Sequence, residues 1–221
     1  MKSILPLALI AASLLLYGCN PSAVYSPTVM LPSAPLVKEE GQLTLGVEMM
    51  PEARPEKVGD DIVPGGTLGI RYAFSDRLTL GGRFWADLTS NEIRGGYGAE
   101  GLFMFAGDEG SQRFALMSRA ALVFNGNSTD GGGFSIAVAT WLPVSEPLTL
   151  YGAIGPGIGF HDIFDLGKGW GYGLISNVGL TIRPIDPMQI ALEVAGIAQY
   201  NVEEDVGSIL FSPGITTSWM F

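Results

Sequence analysis

The sequence predicts an all-β fold: a closed, antiparallel transmembrane barrel of ten strands, with eight as the alternative count. Three observations predict it. Past residue 40 the chain divides into segments of strand length in which apolar residues alternate with small or polar ones, the period of a strand with one oily face. Hydrophobic residues make up 47% of the chain and charged residues 15%. Even so, no apolar run after residue 18 reaches the roughly 17 to 25 residues of a spanning helix. The connections, finally, alternate between short turns and mostly longer loops that are acidic or Gly-rich.

The ten segments are 41–50, 65–74, 77–87, 94–105, 112–124, 133–143, 147–160, 169–183, 187–200 and 207–221. Lengths near ten suit strands tilted across a bilayer. In the second, Leu68, Ile70, Tyr72 and Phe74 share one face and Thr67, Gly69 and Arg71 the other; in the sixth, Phe134, Ile136, Val138 and Leu142 oppose Ser135, Ala137 and Ala139. A soluble barrel shows the same alternation but turns its apolar face inward. The absence of charge on the apolar parity and the aromatic residues near strand ends (Phe74, Phe105, Tyr200, Trp219, Phe221) favour a membrane. In hydrocarbon each unpaired backbone group costs several kcal/mol, so the sheet must close on itself.

The last segment carries the first resemblance. Ile209, Phe211, Ile215, Trp219 and Phe221 share one parity, and the chain stops on Phe221. This resembles the C-terminal signal of bacterial outer-membrane β-barrels, and the resemblance implies recognition of Trp219 and Phe221 by the barrel assembly machinery. Over residues 41–221 the chain resembles small porin-like outer-membrane proteins of the Gram-negative cell envelope. The last strand is expected to pair with the first around Leu43 to Val47.

The N-terminus has the proportions of a signal peptide, with Lys2 as its basic start and an apolar run from Ile4 to Leu16. Leu16, Gly18 and Cys19 resemble the bacterial lipoprotein box, which implies cleavage before a lipidated Cys19; Tyr17 is bulkier than that pattern usually has, and an ordinary signal peptide is the alternative. Asn20 does not oppose transport to the outer membrane. The resulting organisation is a signal peptide over 1–18, a lipidated Cys and linker over 19–40, and the barrel over 41–221. Pro21, Pro27, Pro32 and Pro35 oppose helix and central strand and favour an extended tether. A segment that plugs or lines the barrel is the alternative. The even strand count, the short turns and the lipid on Cys19 all put the termini on the periplasmic side.

The inward parity carries six charges away from strand ends: Glu48, Arg71, Arg83, Glu100, Arg119 and Glu193. An Arg or Lys facing lipid at mid-depth costs about 2 to 4 kcal/mol, so a lumen is the sensible place for them. At low dielectric they are expected to pair as a belt, three acids accepting from three guanidiniums. Such a belt fills and satisfies the interior; the alternative is a gate or an ion-selective constriction. A ten-stranded barrel is only slightly wider than an eight-stranded one, whose side chains fill it.

Other chemistries are sparsely supported. Cys19 and His161 are the sole Cys and His, so neither an internal disulfide nor a His/Cys zinc site is available. A net charge of −10 argues against nucleic acid. Glu52, Glu56, Asp60 and Asp61, then Asp162 and Asp165, then Glu203, Glu204 and Asp205 make an acidic rim with weak divalent-cation potential but no defined calcium loop. His161 beside Asp162 and Asp165 resembles the rim placement of omptin-type proteases, without a matching motif. These three are the catalytic candidates of a rim hydrolase. Gly155, Gly157 and Gly159 alternate along a strand with no helix after them, so no dinucleotide loop and no cofactor is expected. The expected role is structural or surface-interactive, in contact with outer-membrane lipids; a narrow channel for small solutes or ions is the alternative and a rim enzyme the third.

Overall fold

The computed structural model describes residues 35–51, 62–89, 94–108, 111–125, 128–161, 170–202 and 206–221. Cys19, the expected signal peptide and most of the expected tether lie outside them, as do Glu52, Glu56, Asp60, Asp61, Asp162, Asp165, Glu203, Glu204 and Asp205. Ten strands follow one another: β1 (Gly41–Pro51), β2 (Ile62–Ser75), β3 (Leu78–Asp87), β4 (Arg94–Ala106), β5 (Arg113–Asn125), β6 (Ser128–Ser145), β7 (Leu148–His161), β8 (Trp170–Ile185), β9 (Met188–Asn201) and β10 (Val206–Met220). Each pairs antiparallel with its sequence neighbours, and β1 pairs with β10 to close the barrel.

The closing register sets Leu43 opposite Trp219 and Val47 opposite Ile215. At its end, Gly41 and Phe221 exchange two backbone hydrogen bonds of 2.8 and 3.0 Å. Inside the seam the Thr44 and Ser218 hydroxyls lie 3.0 Å apart, a polar contact that hydrocarbon could not supply. The four short turns join β2 to β3, β4 to β5, β6 to β7 and β8 to β9, and each hairpin shifts register next to its turn. In the first, Ser75 Oγ accepts from the backbone N–H groups of Arg77 and Leu78. That satisfies two donors that the turn takes out of the ladder.

Strand β6 begins at Ser128, five residues before the alternation suggests. Ser128 pairs with Asn125, Thr129 with Phe124 and Gly131 with Val123, so the Gly-rich stretch joins the ladder after a register shift. Turn-type composition loses here to the hydrogen bonds an adjacent strand offers. The β5–β6 connection is therefore the shortest on its rim.

The barrel is apolar outside and polar inside. Leu68, Ile70, Ile136, Val138, Ile154, Val178, Leu192 and Ile215 are exposed, whereas Gln42, Thr67, Ser135, Asn177, Gln189 and Ser218 are buried. Aromatic rings gather at both ends of the outer wall. Tyr72 with Phe74 and Phe105 with Phe114 flank the short-turn end; Phe84, Tyr97 and Phe124 form one cluster at the other, and Trp170, Tyr172 and Tyr200 a second. Two girdles around an apolar band suit an interior of hydrocarbon bounded by two interfaces. Ile154, mid-strand on β7 and 54% exposed, tests this. Ile154→Arg should lose about 2 to 4 kcal/mol in urea unfolding from phospholipid vesicles; an unchanged midpoint would mean that this face does not meet lipid.

Candidate functional site

All six inward charges are buried, from Arg119 at 2% exposure to Arg83 and Glu100 at 8%. They occupy neighbouring rows of the wall. In one row Gln42 registers with Arg71, Arg71 with Gly81, Gly81 with Glu100, and Glu100 with Arg119. In another, Glu48 registers with Gly214, Gly214 with Glu193, and Glu193 with Gly179, whose other neighbour is Tyr151. In the second row glycine alternates with a long side chain, and in the first Gly81 is the gap between Arg71 and Glu100; Gly81 and Gly179 each leave room for a side chain to lie across their strand.

Gly81 makes this concrete. A Cβ there would stand 2.7 Å from Arg71 Cγ, 2.7 Å from the Ile70 carbonyl oxygen and 3.3 Å from Glu100 Oε1. Arg71 therefore crosses β3 over Gly81, and its Nε donates to Glu100 Oε1. Its Nη1 donates to Gln42 Oε1 at 3.0 Å, which fixes the guanidinium from the opposite side. Gly179 does the same for the second row, where the Tyr151 ring lies over it.

Glu100 is the hub. Besides Arg71 it meets Arg83 Nη2 at 3.6 Å and Arg119 Nε at 3.5 Å, so three guanidiniums converge on one carboxylate. Glu193 has a different shell: the Tyr151 hydroxyl donates to its Oε2 and the Asn177 amide to its Oε1, both at 2.9 Å. Glu48 faces Arg83, Glu193 and Arg119 electrostatically, and its buried Oε1 has no hydrogen-bond partner among the described residues. The expected three-to-three belt thus resolves into a four-residue cluster on Glu100 and two carboxylates beside it. Tyr151, Asn177 and Gln42, which carry no charge, are the members that charge counting did not reveal.

Apolar layers bound this polar section. Toward the short turns lie Leu102, Met117, Trp141 and Tyr151, packed with Ala115, Ala137, Ala139 and Ala191. Toward the long loops lie Ile175, Ala195 and Ile197, with Trp85 buried over Gly96. Between Arg83, Gly98, Ala99, Glu100 and Arg119 remains a void of about 10 Å³, the space of roughly one water. His161 ends β7 at the long-loop rim. Trp219 and Phe221 lie at the short-turn end of the outer wall.

No family model matches the chain, and no curated protein does either. Solved structures do. An outer membrane channel from Pseudomonas putida F1 aligns over 92% of this chain and 100% of its own, at 12% identity and a TM-score of 0.51. The fold is that of the bacterial outer-membrane β-barrels. Other barrels of this kind align less tightly. The attachment invasion locus protein Ail of Yersinia pestis has 15% identity and a TM-score of 0.35, covering 84% of this chain and 100% of Ail. The outer membrane protease OmpT of Escherichia coli has 9% identity and a TM-score of 0.43, covering 82% and 96%. A shared fold does not fix a role, which rests on the particular residues of each protein.

Proposed function

We propose that this protein is a closed outer-membrane barrel that acts structurally or through its surface-exposed loops, with no open passage for solutes. The observation that carries the reading is the lumen's cross-section at Glu100. Three guanidiniums meet one carboxylate there, with Trp141, Tyr151 and Met117 packed on one side and Trp85, Ile175 and Ile197 on the other. Moving these groups aside would break buried ion pairs, which cost about 3 to 5 kcal/mol when one partner is lost. The short turns and both chain ends lie at the periplasmic rim in this reading, near a lipid on Cys19, and the acidic loops face outward with only weak attraction for divalent cations.

A narrow ion passage is the second reading. The Oε1 of Glu48, without a hydrogen-bond partner among the described residues, and the water-sized void between Arg83 and Arg119 favour it. Planar-bilayer recording of the full chain separates the two: the closed barrel gives no stable conductance steps, and regular steps would replace it with the channel. The rim-hydrolase reading gains nothing from the described residues.

A further inference from the structure

The residues just before β1 do not hang free of the barrel. Glu40 N–H donates to the Val37 carbonyl at 3.0 Å and Val37 N–H to Glu40 Oε2 at 2.8 Å, closing a tight turn. Glu39 within it takes a φ of 70°, the left-handed conformation that reverses the chain. Glu39 N–H donates to the Ala73 carbonyl and Ala73 N–H to the Glu40 carbonyl, at 2.8 and 2.9 Å, while Lys38 N–H reaches Asp76 Oδ1 at 3.3 Å. The turn is thereby fastened to the end of β2 and to the first short turn. Its reversal carries Leu36 to 4% exposure, although Val37, Lys38 and Glu39 beside it are exposed. A cavity of about 200 Å³ lies against Leu36 and Val37, walled by Asp76, Met104, Gly107, Asp108 and Arg113. Those walls belong to the first two short turns and their strands, so Leu36 sits in the short-turn mouth of the barrel.

We propose that residues 35–40 form a withdrawable stopper, with Leu36 sealing the short-turn mouth independently of the charged layer deeper in the lumen. The seam of the barrel begins after it, where Gly41 pairs with Phe221 and Tyr72. Withdrawing Leu36 therefore leaves the β1–β10 and β1–β2 ladders intact from Gly41 onward. One buried apolar side chain and a few hydrogen bonds at the rim hold the stopper, and the adjoining cavity gives it room to move. Met104, half-buried on the inward parity of β4, lines the same cavity and so reports on access to it. The inference deepens the closed-barrel reading by adding a second closure, and its test does not depend on conduction.

The test is thiol labelling of Met104→Cys in the full-length protein, with a bulky maleimide and detection at residue 104 by peptide mass so that Cys19 does not interfere. Expected is slow labelling with Leu36 in place and at least tenfold faster labelling in Leu36→Gly, with Leu36→Met restoring the slow rate. Equal rates in all three, fast or slow, would overturn the stopper. Far-UV circular dichroism of each variant confirms the intact barrel, and because the stopper precedes the seam, a loss of strand signal in Leu36→Gly would equally overturn it. A barrel that conducts but labels in this Leu36-dependent way would lose the proposed function and keep the stopper.

Discussion

Glu100→Ala should destabilise the barrel by at least about 3 to 5 kcal/mol, because it removes the carboxylate shared by three buried guanidiniums. Arg71 keeps Gln42, a neutral acceptor, in place of a charged one. Positive charge on β2, β3 and β5 would then face itself in a section bounded by apolar layers, where repulsion is poorly screened. Urea unfolding from vesicles measures the loss. Glu100→Gln, which keeps the shape and one acceptor but not the charge, should also be destabilised, and a near-parental midpoint would show that packing rather than charge holds the cluster. The exposed pair of Arg183 and Asp186, 3.6 Å apart, provides the contrast. Asp186→Ala should change stability by no more than about 1 kcal/mol, since solvent screens both groups.

Gly81→Val should be the most damaging single glycine replacement around this cluster. The first added carbon alone meets Arg71 Cγ and the Ile70 carbonyl, both at 2.7 Å, and only one of those neighbours is a side chain that can turn away. Overpacking of this kind costs about 1 to 3 kcal/mol. Displacing Arg71 from Glu100 adds the loss of a buried pair. The two parts separate in a double-mutant cycle. In an Arg71→Ala background Gly81→Val should cost less, but not nothing, because the Ile70 carbonyl stays where it is. A cost unchanged by the loss of Arg71 would mean that the arginine does not cross β3 over this glycine.

These two positions also mark how far the sequence could be read. Strand number, closing pair and inward parity follow from alternation, since a one-residue slip would turn Arg71, Arg83 and Arg119 toward lipid. Parity therefore picked out Glu48, Arg71, Arg83, Glu100, Arg119 and Glu193 as inward. It does not say which strands' charges meet. That depends on register between neighbours, and register decides that Arg71 and Glu100 flank Gly81 while Glu48 and Glu193 flank Gly214. By parity alone Gly81, Gly179 and Gly214 are small residues of the non-lipid face; their place opposite long side chains is visible only once the strands are aligned. Tyr151 and Asn177 escaped for another reason: uncharged donors leave no mark in a count of acids and bases. The start of β6 escaped because Gly126 to Gly133 has the composition of a loop, and only the partner strand shows that its later part is laddered.

The central claim is that side chains close this lumen, and the most direct measurement is single-channel recording of the parent beside a variant that lacks the cluster. The full chain should insert into planar bilayers without stable openings, whereas combined Arg71→Ala, Arg83→Ala, Glu100→Ala and Arg119→Ala replacement in a Leu36→Gly background, if the barrel assembles, should give regular conductance steps. Large, stable openings of the parent would contradict the account, as would an assembled variant as silent as the parent.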